Sequence, residues 1–157
     1  MKSILLQLFC ILTLLSCSKQ SVDTDNFNIL IKDDLHRIDL MKSEYEVFRE
    51  DGNQKALFKL SKRDRQTIVN YLNRNIFLLE EGKKDFYSLH WGLPISETTI
   101  TIFNNKSVSI ISYCDPCYYP FNFIRVKKVN ELVTMIENLC LKNDNVKKLP
   151  PSDFYLE

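Results

Sequence analysis

Cys114-Asp115-Pro116-Cys117 is the segment whose residue types and spacing come closest to chemistry. Two thiols separated by two residues can exchange with a substrate disulfide, provided that one of them is held as a thiolate. The usual source of that stabilisation is a helix N-terminus directly after the pair. Pro120 biases Tyr119 away from helical backbone, so no helix is expected to start there. Asp115 adds a negative charge beside the pair, and a like charge raises a thiol's pKa. A structural disulfide between Cys114 and Cys117 is therefore expected, with inert thiols or a bond from one of them to Cys140 as the other structural outcomes.

The spacing resembles the Cys-x-Pro-Cys of thioredoxin-like oxidoreductases. That resemblance implies the rival reading, a periplasmic thiol oxidoreductase using Cys114 and Cys117. Other chemistries find less support. Zinc needs about four Cys, His or carboxylate ligands. Cys114 and Cys117 offer two, and Cys140, His36 and His90 are remote in sequence, with no second Cys-x-x-Cys and no paired histidines. No metal is expected. Cys140 lies on an apolar helical stripe and reads as core. Neither histidine belongs to a serine or cysteine nucleophile motif, and Glu80-Glu81, being adjacent, point to different sides. There is no glycine-rich phosphate loop, and no cofactor is expected. Trp91, Tyr118 and Tyr119 form a candidate binding surface, able to stack on a glycan or an envelope protein partner. The competing reading, and the one preferred, is that this aromatic loop, with Tyr113, Phe121 and Phe123, caps an end of the core.

The start of the chain gives an address. Met1-Lys2 precedes an apolar run from Ile4 to Leu15, interrupted only by Gln7 and Thr13. Crossing a bilayer takes about 20 apolar residues, so the run is too short to span and has the form of a secretory signal. It ends in Leu14-Leu15-Ser16-Cys17, which resembles a bacterial lipobox. The resemblance implies cleavage after Ser16, acylation of Cys17 and attachment to the membrane through that lipid anchor. Ser18 after the cysteine resembles an outer-membrane sorting signal, so the expected location is the cell envelope.

Residue counts bound the rest. The chain has 21 Lys and Arg against 20 Asp and Glu, and residues 1–16 hold only Lys2, so the remainder carries 21 − 1 = 20 of each sign. Zero net charge argues against nucleic acid, which requires a concentrated basic face. Ten phenylalanines and only three glycines suit one packed domain. The expected organisation is a signal peptide over 1–16, the lipidated cysteine and a flexible tether over 17–26, one domain over 27–145 and a polar tail over 146–157.

Positioning falls to strands and two helices. Phe27 to Lys32 fits a strand or a short helix, and His36 to Met41 a strand with Ile38 and Leu40 on one face. Asp51-Gly52 signals a hairpin. A two-residue loop there pairs Glu50 with Asn53, Val47 with Ala56 and Tyr45 with Phe58, gathering Tyr45, Val47, Ala56 and Phe58 on one face. Ser61 and Asp64 form a capping-box start for a helix with Ile68, Tyr71, Leu72 and Ile76 on its stripe. Phe77 to Pro94 reads as irregular. Glu97–Phe103 and Ser107–Tyr113 read as two strands. A three-residue loop, Asn104-Asn105-Lys106, sets Ile102 opposite Val108 and Ile100 opposite Ile110 on one apolar face. Val129, Leu132, Val133, Ile136, Leu139 and Cys140 follow helical spacing.

The expected fold is α+β: an antiparallel sheet of about four to five strands built from two hairpins, with two amphipathic helices packed on it. The hairpin, Leu60-Ser61-Lys62 at a helix start and Leu93-Pro94 before a Thr-rich strand resemble a domain of unknown function found in small lipoproteins of Bacteroidetes-like bacteria. The likeness covers roughly Tyr45 to Leu139 and lacks that family's Cys-Pro segment before the first hairpin. It implies no activity. Binding, rather than catalysis, is the expected mode of action.

Overall fold

Phe27–Lys32 alternates buried side chains with more exposed ones, the period of a strand, and so is β1 of the computed structural model, which describes residues 22–86, 96–105, 107–114 and 121–154. β2 (His36–Asp39), β3 (Glu44–Val47) and β4 (Gln54–Leu57) continue from it as an antiparallel meander. Helix α1 (Lys62–Arg74), a 3₁₀ turn (Ile76–Leu79) and β5 (Gly82–Asp85) follow, then β6 (Glu97–Asn104), β7 (Ser107–Cys114), α2 (Phe123–Cys140) and the one-turn α3 (Asp144–Lys147). The fold is α+β, with strand order β4-β3-β2-β1-β6-β7-β5.

The sheet is larger than the sequence suggests and is mixed. It has seven strands rather than four or five, and β5 runs parallel to β7 while every other pair is antiparallel. The expectation of two hairpins gives way to a four-stranded meander and one hairpin, β6–β7. β5 escapes periodicity because Gly-Lys-Lys-Asp contains no apolar residue; lysines are what an edge strand carries to discourage further pairing. Gly82, at φ +104°, turns the chain from the 3₁₀ segment into it.

Both registers differ from expectation. In the first hairpin Tyr45 pairs with Ala56 and Val47 with Gln54, two residues away from the predicted alignment. The chain turns one step earlier: the Gly52 amide donates to the Arg49 carbonyl, so Asp51 and Gly52 occupy the last two turn positions, not the central two. A shift of two preserves the faces, and Val47 and Phe58 are buried with Tyr45 and Ala56 packed beside them. In the second hairpin Asn104 pairs with Ser107, closing a two-residue loop in which Asn105 takes φ +52°. Ile102 then faces Ser109 and Ile100 faces Ile111. Val108 and Ile110 fall on the opposite side of the sheet, only half-buried.

One face of the sheet carries the core. Ile29 and Ile31 of β1 lie opposite Ile102 and Ile100 of β6, Ile38 extends the row on β2, and Ile111 and Tyr113 extend it on β7. Ile68, Val69 and Leu72 of α1 join Val129, Leu132 and Ile136 of α2 in that same cluster. The predicted capping box forms: Ser61 Oγ accepts from the Asp64 amide at 3.1 Å and Asp64 Oδ2 accepts from the Ser61 amide at 3.1 Å. Asn75 ends α1, so Ile76 leaves the stripe assigned to it and is exposed.

Both expected tails are tied in. Val22 is buried, its amide donates to Asn73 Oδ1 at 2.8 Å and its carbonyl accepts from Asn73 Nδ2 at 3.3 Å, so the chain is tied to the packed body at Val22. At the other end Val146 is buried, Arg49 donates to the Pro151 carbonyl, Ser152 donates to the Phe48 carbonyl, and Asp153 accepts from the Glu50 amide. The C-terminal strap therefore closes over the β3–β4 loop.

Candidate functional site

A cluster of half-buried ionisable groups is built on the β1–β2 turn. Asp33 Oδ1 accepts from the amides of Leu35 and His36 at 2.8 and 2.7 Å, which fixes the turn and aims its second oxygen at the His36 ring. Asp33 Oδ2 lies 2.9 Å from Nδ1, and Glu137 Oε1 of α2 lies 3.1 Å from Nε2. Tyr45 stacks on the imidazole with centroids 5.5 Å apart. Burial disfavours the charged ring, but hydrogen bonds and charge from Asp33 and Glu137 outweigh it and push the His36 pKa up to about 9. Burial likewise acts to raise Asp33, yet its bonds to His36 and the backbone bring it below the ordinary carboxylate range. His36 is thus an imidazolium with both N–H groups donated to carboxylates. It has no lone pair to act as a base and no free donor to act as an acid.

Beside this cluster opens a cleft of about 420 Å³ between the sheet and the C-terminal strap. Tyr45, Val47, Val146, Leu149, Pro150 and Phe154 give it apolar walls, and His36 reaches its floor. Burial, aided by the Glu137 carboxylate, keeps the Tyr45 hydroxyl protonated. The cleft can enclose an apolar side chain, with Lys147 and the hydroxyl residues Tyr45 and Ser152 as the polar part of its lining; the Ser152 hydroxyl is donated to the Phe48 carbonyl.

The sequence missed this cluster's membership. Asp33-x-x-His36 is a local spacing visible in the chain, but Glu137 stands 101 residues away and nothing in the sequence joins them. In the sequence His36 stands as a lone histidine, whereas the fold supplies it with two partners. Among the described residues, no group of three His, Cys, Asp or Glu side chains could hold a metal ion.

The predicted site residues fall unevenly. Cys17, Trp91, Cys117, Tyr118 and Tyr119 lie outside the described residues, as does His90. Cys114 ends β7, is buried and is disulfide-bonded. Cys140 is a free thiol on the inner side of α2, where burial pushes its pKa up to about 12. A Cys114–Cys140 bond is thereby ruled out, and the remaining cysteines are Cys10, Cys17 and Cys117. α2 begins at Phe123, six residues after Cys117 by number (123 − 117), with Phe121 and Asn122 in a turn. Of the aromatic loop, Tyr113 is buried in β7, while Phe121 and Phe123 are exposed at the start of α2. Those two do not cap the core. No helix among the described residues is long and apolar enough to cross a membrane. No family model, no curated protein and no solved structure matches the chain.

Proposed function

We propose that this chain is a lipid-anchored protein of the bacterial cell envelope that acts by binding an envelope partner, not by catalysis. One observation carries the binding half. The half-buried ionisable cluster is satisfied internally, with His36 clamped between Asp33 and Glu137, while the apolar cleft beside it is open. Such a cleft suits an apolar anchor residue of a protein partner. The anchoring half is supported by the lipobox-like Leu14-Leu15-Ser16-Cys17. More than one acyl chain is needed to hold a protein stably on a bilayer, and lipoprotein cysteines normally carry more than one.

Fractionation of cells expressing wild type and Cys17→Ala tests the anchor. Wild type is expected in the membrane pellet and the variant in the soluble fraction or unprocessed. Equal processing and equal membrane retention of the two would end the proposal. For the cleft, membranes are treated with a short crosslinker and the protein recovered from wild type and from Leu149→Trp, which fills the cleft. A partner captured by wild type and lost from the variant is expected.

The rival reading, a thiol oxidoreductase, keeps only its Cys-x-x-Cys spacing. Cys114 sits at the buried end of a strand, and the next described helix starts at Phe123. We assign the Cys114 bond to Cys117 and give it a stabilising role. Closing so short a loop is worth about 2 kcal/mol on chain-entropy grounds. Cys114→Ser is therefore expected to lower stability by about that amount, with no insulin-reduction activity in wild type to lose. Turnover in wild type, together with a thiol pKa well under about 8.5, would promote the enzyme instead.

A further inference from the structure

The N-terminus of α2 breaks several rules at once. Phe121 is 95% exposed, Phe123 65% and Ile124 73%, so three large apolar side chains within four positions face solvent. Asn122 makes no side-chain capping bond, and the first turn has no acidic residue. It carries Arg125 instead, followed by Lys127, at the end of the helix dipole that disfavours cations. Local choices that conflict with folding are expected where function requires them.

Neighbouring elements bring more of the same chemistry to this end. Tyr71, near the end of α1, donates to the Lys128 carbonyl at 2.8 Å and bonds Glu131 at 2.9 Å, which sets the C-terminus of α1 beside the first turns of α2. The Arg125 guanidinium lies 5.7 Å from the centre of the Phe77 ring. Arg74 and Ile76, both exposed, therefore belong to the same end. Of the charged groups close by, Glu131 is bound by Lys128 at 2.7 Å and by Tyr71, Asp23 is exposed on the incoming chain, and Lys84 lies within electrostatic reach of both exposed Glu80 and Arg125.

The incoming chain arrives here too. Val22 is bonded to Asn73, between Tyr71 and Phe77. Five peptide units separate Cys17 from Val22, and at about 3.5 Å each they reach at most ~18 Å. An acyl chain on Cys17 would hold the surface around Val22 close to the lipid headgroups.

We infer that Phe121, Phe123 and Ile124, flanked by Arg125, Lys127 and Arg74, form a tip that inserts into the interface of an anionic bilayer and fixes the orientation of the domain on it. Aromatic and branched apolar side chains favour the headgroup boundary, and basic residues beside them add attraction to anionic lipid. The inference rests on the anchoring proposed above for Cys17. It leaves the His36 cleft, on the far half of α2, free for a partner.

The test uses the lipidated full protein in vesicles, with photoreactive benzoyl-phenylalanine placed at Phe121, at Phe123 or, as a control on the β4 edge, at exposed Leu57. Vesicles are phosphatidylcholine with or without phosphatidylglycerol, and membranes of the producing cells are irradiated in parallel. Lipid adducts are expected from positions 121 and 123 and not from 57, with yields several-fold higher when phosphatidylglycerol is present. Lipid adducts equally from position 57, no adduct from 121 and 123, or crosslinks from them to a protein in cell membranes would overturn the inference. Equal yields in the two vesicle types would overturn the part given to Arg125, Lys127 and Arg74. Recovery of the protein in the soluble fraction before irradiation would instead defeat the anchoring on which the test depends.

Discussion

Replacing Ile102 with alanine is expected to lower the free energy of unfolding by about 2–5 kcal/mol, against a much smaller loss for Ile110→Ala. Ile102 is 1% exposed and central in the sheet, opposite Ile29 on one side and Ser109 on the other. Three methylene-sized groups vanish from a site bounded by backbone and by helix side chains, so collapse around the gap is limited and the cavity adds to the transfer cost. Ile110 lies on the other face, half-buried, and its truncation leaves no enclosed void. The comparison separates two registers. A three-residue Asn104–Lys106 loop puts both isoleucines on one face and predicts similar losses; the two-residue loop observed predicts unequal ones. Denaturant midpoints of the two variants, with unchanged m-values, give the answer directly. Equal losses would favour the longer loop and reject the observed pairing.

What the sequence revealed follows physical locality. The capping box at Ser61 and Asp64 is legible because its two partners are three residues apart and their chemistry is specific. The stripe of α2 is legible because its buried positions repeat with the helical period. The same locality explains the failures. A three-residue β6–β7 loop aligns isoleucine with valine and isoleucine. The observed pairing keeps Ile102 and Ile100 opposite Ile29 and Ile31 of β1 but turns Ile111 and Tyr113 of β7, rather than Val108 and Ile110, onto the core face. β5 has no apolar residue to announce it, and its pairing with β7 joins segments about 25 residues apart. The His36 cluster needs a carboxylate from α2 that only tertiary structure delivers. Aromatic residues usually are buried, so the sequence at the start of α2 suggests a cap on the core; their exposure, and the basic residues among them, acquire meaning only with Val22 docked at the same end.

Stability should fall as pH rises from about 6.5 to 9, and His36→Ala should remove most of that dependence. The folded protein holds the imidazolium more tightly than the unfolded chain does, with a pKa of about 9 against an ordinary 6.5. A raised folded pKa contributes stability that is complete below the unfolded value and disappears through the folded one. The gap corresponds to about 3 kcal/mol at its fullest, and the ring's side chain is only 15% exposed, so solvent screening reduces this little. Asp33 works in the opposite sense. Its lowered pKa gives stability present above 3.8 and lost as pH falls below it, so the pair predicts greatest stability between about pH 4 and 6.5. Tyr45 and Cys140, the other ionisable groups against this site, stay protonated in the folded protein across this range; the Cys140 thiol of the unfolded chain begins to ionise near its ordinary 9.0 and adds a smaller loss, common to wild type and variant, at the top of it. In His36→Ala the Asp33 and Glu137 carboxylates lose the cation between them; breaking a fully buried pair costs about 3–5 kcal/mol, and this half-buried one should cost somewhat less. Urea unfolding at about pH 6 and about pH 9.5 measures both effects. At the lower pH the variant should be far weaker than wild type, and at the higher pH the two should converge as wild type loses the imidazolium's contribution. A wild-type midpoint that stays level across that range would mean that His36 is neutral in the folded protein. The clamp would then be a single donated hydrogen bond, and the other ring nitrogen would face a carboxylate with a lone pair able to accept a proton.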